Sequence, residues 1–431
     1  MPCVARSAWS GRRTAGIVCP GRALPKQKRT TASGAQSPGA DHDQATGEEI
    51  MNGWYLRSVA VAALAAVLLP GELAAQANKT WLVGQVAPLT GPAATVGTRL
   101  DKAVKMWVED VNTAGGIAGR KVELSTCNDE NRPEKAVACA REMIDKGAVI
   151  IIGNTLTASL RAMLPLVRSG PTMLIPSPNI VPSPDSYAFQ VSPSDESITE
   201  SVARYMQASG LKKIGMVAAT DASGEVGVAS ARKVFGAHGF DLQLARIDLR
   251  ATDASTQLAR VVGSDTRLVY SSYSGGGAVT VVKSYKNLGL EPPMIVSYAN
   301  ISDAFVQIVK DVKPPRLLGT AAAGIVPDVL KDPGERARSK AFLAAYTKRY
   351  SEPVDMINLL GKAATDVADA ILRKVPNPTD FNAVKKYLES NVVESVHNQR
   401  FSPTSHVGLD SSAVVIVELK GRSWVLADPV K

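Results

Sequence analysis

From residue 80 the chain alternates two hydrophobic patterns. Short apolar runs of four to nine residues read as strands, and stretches with apolar side chains every three or four residues read as helices. "WLVGQVAPL" at 81–89 is the first strand. A helix follows at 97–114, with Leu100, Ala103, Val104, Trp107, Val108 and Val111 on one face. "KVELSTC" at 121–127 is a strand, and 132–147 is a helix with Pro133 in its first turn and Gly147 at its end. "AVIIIG" at 148–153 is a strand, 157–170 a helix and "PTMLIPSP" at 171–178 a strand. This βαβαβαβ order predicts a parallel sheet covered on both faces.

The pattern restarts after a Pro/Ser/Asp stretch at 182–197. Helices at 197–210, 224–239, 255–265 and 277–290 alternate with strands at 212–220, 241–249, 266–273 and 293–298. The fold class is therefore α/β, with two doubly wound lobes of similar size. "RLLGTAAAG" at 316–324 returns the chain to the first lobe, where long helices at 335–350 and 356–375 follow. The last segment, 397–429, ends in two short strands joined at Lys420-Gly421.

The N-terminal region does not share the pattern. Residues 1–50 are rich in Arg, Gly, Ser and Pro without a hydrophobic period, the composition of a disordered segment. Then Arg57, the twelve-residue apolar run Ser58–Leu69 and the small-x-small triplet Ala75-Gln76-Ala77 form a secretory signal peptide over 51–77. The run is too short to cross a bilayer. The simplest reading makes Met51 the start and 1–50 an over-extended frame; the alternative is a genuine extension that delays export. Either way the mature chain, near 78–431, belongs in an exported, periplasmic compartment.

Charge and cysteines change little. Residues 1–77 hold 8 Lys/Arg and 5 Asp/Glu, which leaves the remainder at +6, a mild excess without a phosphate-tracking block. Nucleic acid is not expected as a partner. The mature chain keeps two cysteines, Cys127 and Cys139. An even pair in an exported protein points to one disulfide; two separate buried thiols are the alternative.

Catalytic motifs are missing. The first strand is not followed by G-x-G-x-x-G, and neither a phosphate-binding G-x-x-x-x-G-K-[ST] nor a G-x-S-x-G occurs. "SGGGA" at 274–278 reads as a flexible turn. His238, His397 and His406 have no metal spacing and read as surface or capping residues. No enzyme activity, metal or cofactor is expected.

A binding site is better supported. In open α/β sheets, ligands lie beyond the carboxyl ends of the strands. Two such ends in the first lobe carry polar clusters, "IIGNTLTAS" and "LIPSPN". Thr157 and Ser159 stand at the start of the next helix, where free N–H groups and hydroxyls suit an anion. The competing reading makes one of them only an N-cap.

Five stretches in this order, "VGQVAPLTGPAATVG", "WVEDVNTAGGIAGRKVEL", "RPEKAVACA", "VIIIGNTLTAS" and "MLIPSPN", carry a resemblance over roughly 80–431. The chain resembles the branched-chain amino-acid-binding, or leucine/isoleucine/valine-binding, family of periplasmic receptors that serve ABC transporters. The resemblance implies a type I periplasmic-binding-protein fold: two doubly wound parallel-sheet lobes joined by a three-segment hinge. The crossovers fall near 190–197, 316–324 and 396–403. The first lobe then comprises 78–195 and 325–396, and the second 196–324 and 397–431.

The same resemblance assigns the ligand's polar groups to Thr155, Leu156, Thr157, Ser177 and Asn179, with the aromatic Tyr273 closing from the second lobe. Two positions depart from the pattern. Tyr298 stands where amino-acid-binding relatives carry an acid, and Ser223 where a tyrosine covers the ligand; Asp221 is the other acid within reach. A neutral phenol does not replace a carboxylate opposite an ammonium. A carboxylate with an aromatic or aliphatic body is accordingly expected over a free amino acid. The implied partners are this solute and the permease subunits of an ABC transporter, met by a monomer. A sensor with the same clamshell and an exported enzyme on this scaffold are the alternatives.

Overall fold

The computed structural model describes residues 80–91 and 93–430. The extension at 1–50 and the signal peptide at 51–77, both expected from the sequence, lie outside them. Among the described residues no helix is long and apolar enough to cross a membrane.

The first sheet is built from β1 (Thr80–Ala87), β2 (Lys121–Asn128), β3 (Ile150–Ile152), β4 (Thr172–Ile175), β5 (Ala188–Pro193) and, late in the chain, β13 (Val407–Leu409). Its order is β13-β5-β4-β3-β1-β2, and every pairing is parallel. β3 is three isoleucines, all fully buried, as a central strand covered on both faces requires. Helices α1 (Ala94–Thr113), α2 (Pro133–Asp145) and α3 (Thr157–Met163) make the crossovers between the first strands.

The second sheet contains β6 (Lys213–Ala219), β7 (Asp241–Ile247), β8 (Val269–Ser272), β9 (Met294–Val296), β10 (Leu317–Ala322), β14 (Val414–Lys420) and β15 (Ser423–Leu426), in the order β15-β14-β10-β9-β8-β6-β7. β14 runs antiparallel to both β10 and β15. The β14–β15 turn uses Gly421 at φ +63°, a conformation costly for a residue with a Cβ. The crossover helices are α4 (Asp195–Ala208), α5 (Ala222–Ala237), α6 (Ser255–Val261), α7 (Gly276–Asn287) and α8 (Asp303–Val309).

The long helices α9 (Pro333–Tyr350) and α10 (Met356–Lys374) follow β10, and α11 (Phe381–Ser390) and the paired short strands β11 (Val392–Val393) and β12 (Gln399–Arg400) precede the final strands. α10 packs against α1 and against β4 and β5, which places it on the first lobe. Gly361 sits at this contact, where an added Cβ would come within 2.8 Å of the Ala103 methyl. The absent side chain allows the two helices to pack closely.

The chain passes between the sheets after β5, after β10 and after β13. The third passage lies at 410–413, later than the 396–403 that the sequence suggested. The cause is β13, which pairs with β5 and so keeps 407–409 in the first sheet. The part of 397–431 assigned to the second lobe is therefore only β14 onward. His397 and His406 also depart from expectation: they are buried, not surface residues. His397 Nε2 accepts the Gly324 N–H at 2.8 Å, tying the segment after β10 to the segment that leads into β13, and burial lowers its pKa to about 4. The His406 ring nitrogens lie 2.9 Å from the Ala188 carbonyl and 2.9 Å from Glu389 Oε1.

Candidate functional site

The residues singled out in the sequence fall on loops beyond strand ends. Thr155, Leu156 and Thr157 follow β3; Ser177 and Asn179 follow β4, the next strand in the sheet. Ser223 lies after β6, Tyr273 after β8 and Tyr298 after β9, three neighbouring strands of the second sheet. α3 of the first lobe touches α5 of the second, so these two helices face each other across the lobes. A concavity of about 1260 Å3 along the passages, lined by Arg204, Lys331, Asp332, Arg400 and Val407 among others, includes none of the eight residues.

The first-lobe hydroxyls share one property. Those of Thr155, Thr157 and Ser177 are buried and have no hydrogen-bond partner in the protein. Thr157 is the first residue of α3, and no side chain caps that helix. The N-cap reading of Thr157 and Ser159 therefore does not hold. The Ser159 hydroxyl donates to Asp129 Oδ2 at 2.8 Å instead. The Leu156 N–H donates to Asn154 Oδ1 at 2.8 Å, a local turn that bends the loop out of β3. Asn179 is half-buried.

The second-lobe residues differ. The Ser223 hydroxyl donates to Asp221 Oδ1, which also accepts the Gly224 N–H and caps α5. Asp221, the alternative acid, is thus held by its own helix. Tyr273 is buried, and its phenol donates to the Asp248 carbonyl at 3.0 Å. Asn300 fixes the same residue by donating to its carbonyl at 2.8 Å. Burial holds the Tyr273 phenol above its ordinary pKa, helped by the nearby Asp221 and Asp248. Tyr298 is buried with its hydroxyl unpartnered, and burial raises its pKa strongly.

Three residues escaped the sequence reading. Asn154 and Asp129 are fully buried beneath the 155–157 loop, Asn154 donating to Asp129 Oδ2 at 2.5 Å. The signal was present in "CNDE", a polar run at the carboxyl end of β2. The third is Asp195, at the start of α4. Its N–H donates to the Pro178 carbonyl at 2.9 Å, between Ser177 and Asn179. Its carboxyl turns into the second lobe toward Ser230, with Oδ2 buried and unpartnered. Burial raises its pKa to about 6, the nearby Ser230 opposing the shift.

Cys127 and Cys139 are bonded as a disulfide, with Cα atoms 5.7 Å apart, joining the end of β2 to α2.

Comparison with known proteins agrees with the fold. A family model described as periplasmic binding protein matches residues 80–422. The Leu/Ile/Val-binding protein BraC3 of Rhizobium johnstonii is 24% identical over 315 residues, covering 71% of this chain and 83% of that protein. The Leu/Ile/Val-binding protein homolog 3 of Brucella melitensis is 37% identical over 75 residues, a segment covering 17% of this chain and only 20% of that relative. Among solved structures, an ABC-transporter solute-binding protein from R. palustris in complex with benzoate has a TM-score of 0.66 at 22% identity. That match covers 80% of this chain and 95% of the other.

Proposed function

The chain belongs to the periplasmic binding protein family of the Leu/Ile/Val-binding type, and from that premise we propose that it captures a small carboxylate-bearing solute between its lobes for an ABC permease. The observation that carries this reading is the set of three buried, unpartnered hydroxyls on Thr155, Thr157 and Ser177, beyond neighbouring strands β3 and β4. A buried hydroxyl without a partner costs roughly 1–3 kcal/mol. Three such donors on the loops after neighbouring strands can be satisfied together by one acceptor with several lone pairs, and a carboxylate has two oxygens.

The rest of the solute is an aromatic or aliphatic body with no ammonium group. Tyr298 supports this, being a neutral buried phenol where an acid would meet an ammonium. The benzoate-bound neighbour shares the fold and so is compatible with it. Leu156, Asn179, Ser223 and Tyr273 complete the proposed lining. Closure follows from differential affinity: a solute that touches both lobes only when they meet shifts the population toward the closed form. The protein acts after export, as a carrier to the permease rather than as a sensor.

A second reading, a free amino acid, has one specific observation in its favour. Asp195 carries an unpartnered carboxyl oxygen and is tied through its backbone to the loop holding Ser177 and Asn179. A thermal-shift screen over aromatic acids, short aliphatic acids, dicarboxylates, amides and amino acids tests the proposal. A ligand at 100 times its Kd adds about 2.7 kcal/mol of stability. Shifts from neutral amides but from no carboxylate would overturn it.

A further inference from the structure

The Asn128-Asp129 pair is placed to organise both neighbouring loops at the carboxyl edge of the first sheet. Asn128 Oδ1 accepts the Leu89 N–H at 2.8 Å, and its Nδ2 donates to Thr90 Oγ1 at 2.8 Å. Those contacts hold the loop leaving β1. Asp129 donates its N–H to the Ala87 carbonyl at 3.2 Å, at the end of β1. Its carboxylate reaches past that strand to the loop leaving β3, where Oδ2 accepts from Asn154 Nδ2 at 2.5 Å and Ser159 Oγ at 2.8 Å. Oδ1 accepts the Asn131 N–H at 3.2 Å.

Asp129 is fully buried, and both of its oxygens are engaged within the protein, so it is not itself a ligand group. The residues it holds flank the three that matter. Asn154 precedes Thr155, and its Oδ1 sets the Leu156 turn; Ser159 follows Thr157 by half a helical turn. We propose that Asp129 is a positioning residue for the solute site: its carboxylate, gripped by Asn154 and Ser159, fixes the direction in which Thr155 and Thr157 present their hydroxyls. The proposal rests on the reading that these hydroxyls face the solute.

The chemistry explains why a carboxylate is needed. All three partners of Asp129 are donors in this arrangement. An amide of the same shape must turn its NH2 toward at least one of them, donor against donor. In a buried position that mismatch leaves polar groups unsatisfied. The Cys127–Cys139 disulfide begins two residues earlier and braces this corner covalently.

The test uses the purified full chain, Asp129→Asn, and the reciprocal double variant Asp129→Asn/Asn154→Asp. The double variant restores an amide–carboxylate pair with the roles exchanged, and the amide oxygen then at position 129 can still accept the Asn131 N–H. Hydrogen–deuterium exchange is followed over residues 154–163 and over β1–β4. In Asp129→Asn, exchange at 154–163 is expected to rise at least tenfold while the strands stay protected, and to return toward wild type in the double variant. Unchanged exchange in the single variant, an equal rise across the whole sheet, or no recovery in the double variant would each overturn the proposal. A parallel calorimetric titration uses benzoate and L-leucine as probes. Wild-type binding of either should weaken at least tenfold in the single variant and recover in the double; unchanged affinity in the single variant overturns the proposal. If the wild type binds neither probe, it is the benzoate-like or leucine-like solute reading that fails, and the exchange pattern alone decides the role of Asp129.

Discussion

The two lobes answer the same topological demand with opposite polar chemistry. Beyond β3 and β4, the first lobe leaves the hydroxyls of Thr155, Thr157 and Ser177 buried and unpartnered. Beyond β6 and β8, the second lobe engages Ser223 with Asp221 and Tyr273 with the Asp248 carbonyl. Tyr298 is the exception, with a free hydroxyl in an otherwise closed set. The difference assigns the lobes different work. On the proposed function, the first would carry directional hydrogen bonds to a charged group, and the second would supply a preformed surface that closes over it.

The largest expected effect comes from removing the free donors. Thr157→Ala should weaken solute binding about 10- to 150-fold, the value of a hydrogen bond to a charged group, about 1.5–3 kcal/mol. The melting temperature should scarcely move, because the native hydroxyl bonds to nothing in the protein. Calorimetry beside a melting curve checks both. Unchanged affinity with a large loss of stability would make Thr157 a structural residue and erase the contrast between lobes.

Covalent bracing is the next difference. The Cys127–Cys139 bond closes a short loop in the first lobe. Its loss in a Cys127→Ser/Cys139→Ser variant should cost about 2–3 kcal/mol in denaturant unfolding. The exchange protection lost should centre on β2 and α2. Equal loss in both lobes would count against a local brace.

Asp195 links the two regions, and its pH dependence has a definite sign. Burial raises its pKa from 3.8 to about 6, so the folded protein holds a proton that the unfolded chain has released between those values. Its stabilising contribution is full below pH 3.8 and is lost as pH rises through 6. Asp195→Asn should therefore gain on the order of 3 kcal/mol over wild type at pH 8, a gain that vanishes as pH falls below the unfolded value of 3.8. Unfolding at the two pH values measures it, and a pH-independent difference would contradict the assignment. The smallest effect belongs to Ser223→Ala, which should change affinity less than about threefold, since its hydroxyl is engaged by Asp221. A tenfold loss would move Ser223 into the ligand-holding set.

Local patterns made the fold readable. Continuous apolar runs mark most strands and a 3.6-residue period most helices from β1 to α10, because the inner strands are covered on both faces and each helix buries one face; β5, inside the Pro/Ser/Asp stretch at 182–197, and α8 carry no such mark. β13 was not readable. It is three residues long, and its place beside β5 is set by a pairing more than two hundred residues apart in sequence. Buried His397 and His406 were missed for the same reason, since their partners Gly324, Ala188 and Glu389 come from other segments. At the site, the polar clusters after β3 and β4 were visible as departures from an apolar run. Which hydroxyls stay free was not, because Ser159 and Ser223 differ from Thr157 only in having a carboxylate within reach.

The central claim is that the first lobe's free hydroxyls hold a carboxylate while no acid in the second lobe receives an ammonium. The most direct measurement compares 4-methylpentanoate with L-leucine, which share a carboxylate and side chain and differ by the α-amino group. Calorimetric titration of the purified mature protein should show the acid binding at least tenfold more tightly, because a buried ammonium without a counter-ion loses several kcal/mol of hydration. L-Leucine binding tighter by tenfold or more would contradict the account and turn attention to the free carboxyl oxygen of Asp195 as the ammonium's partner.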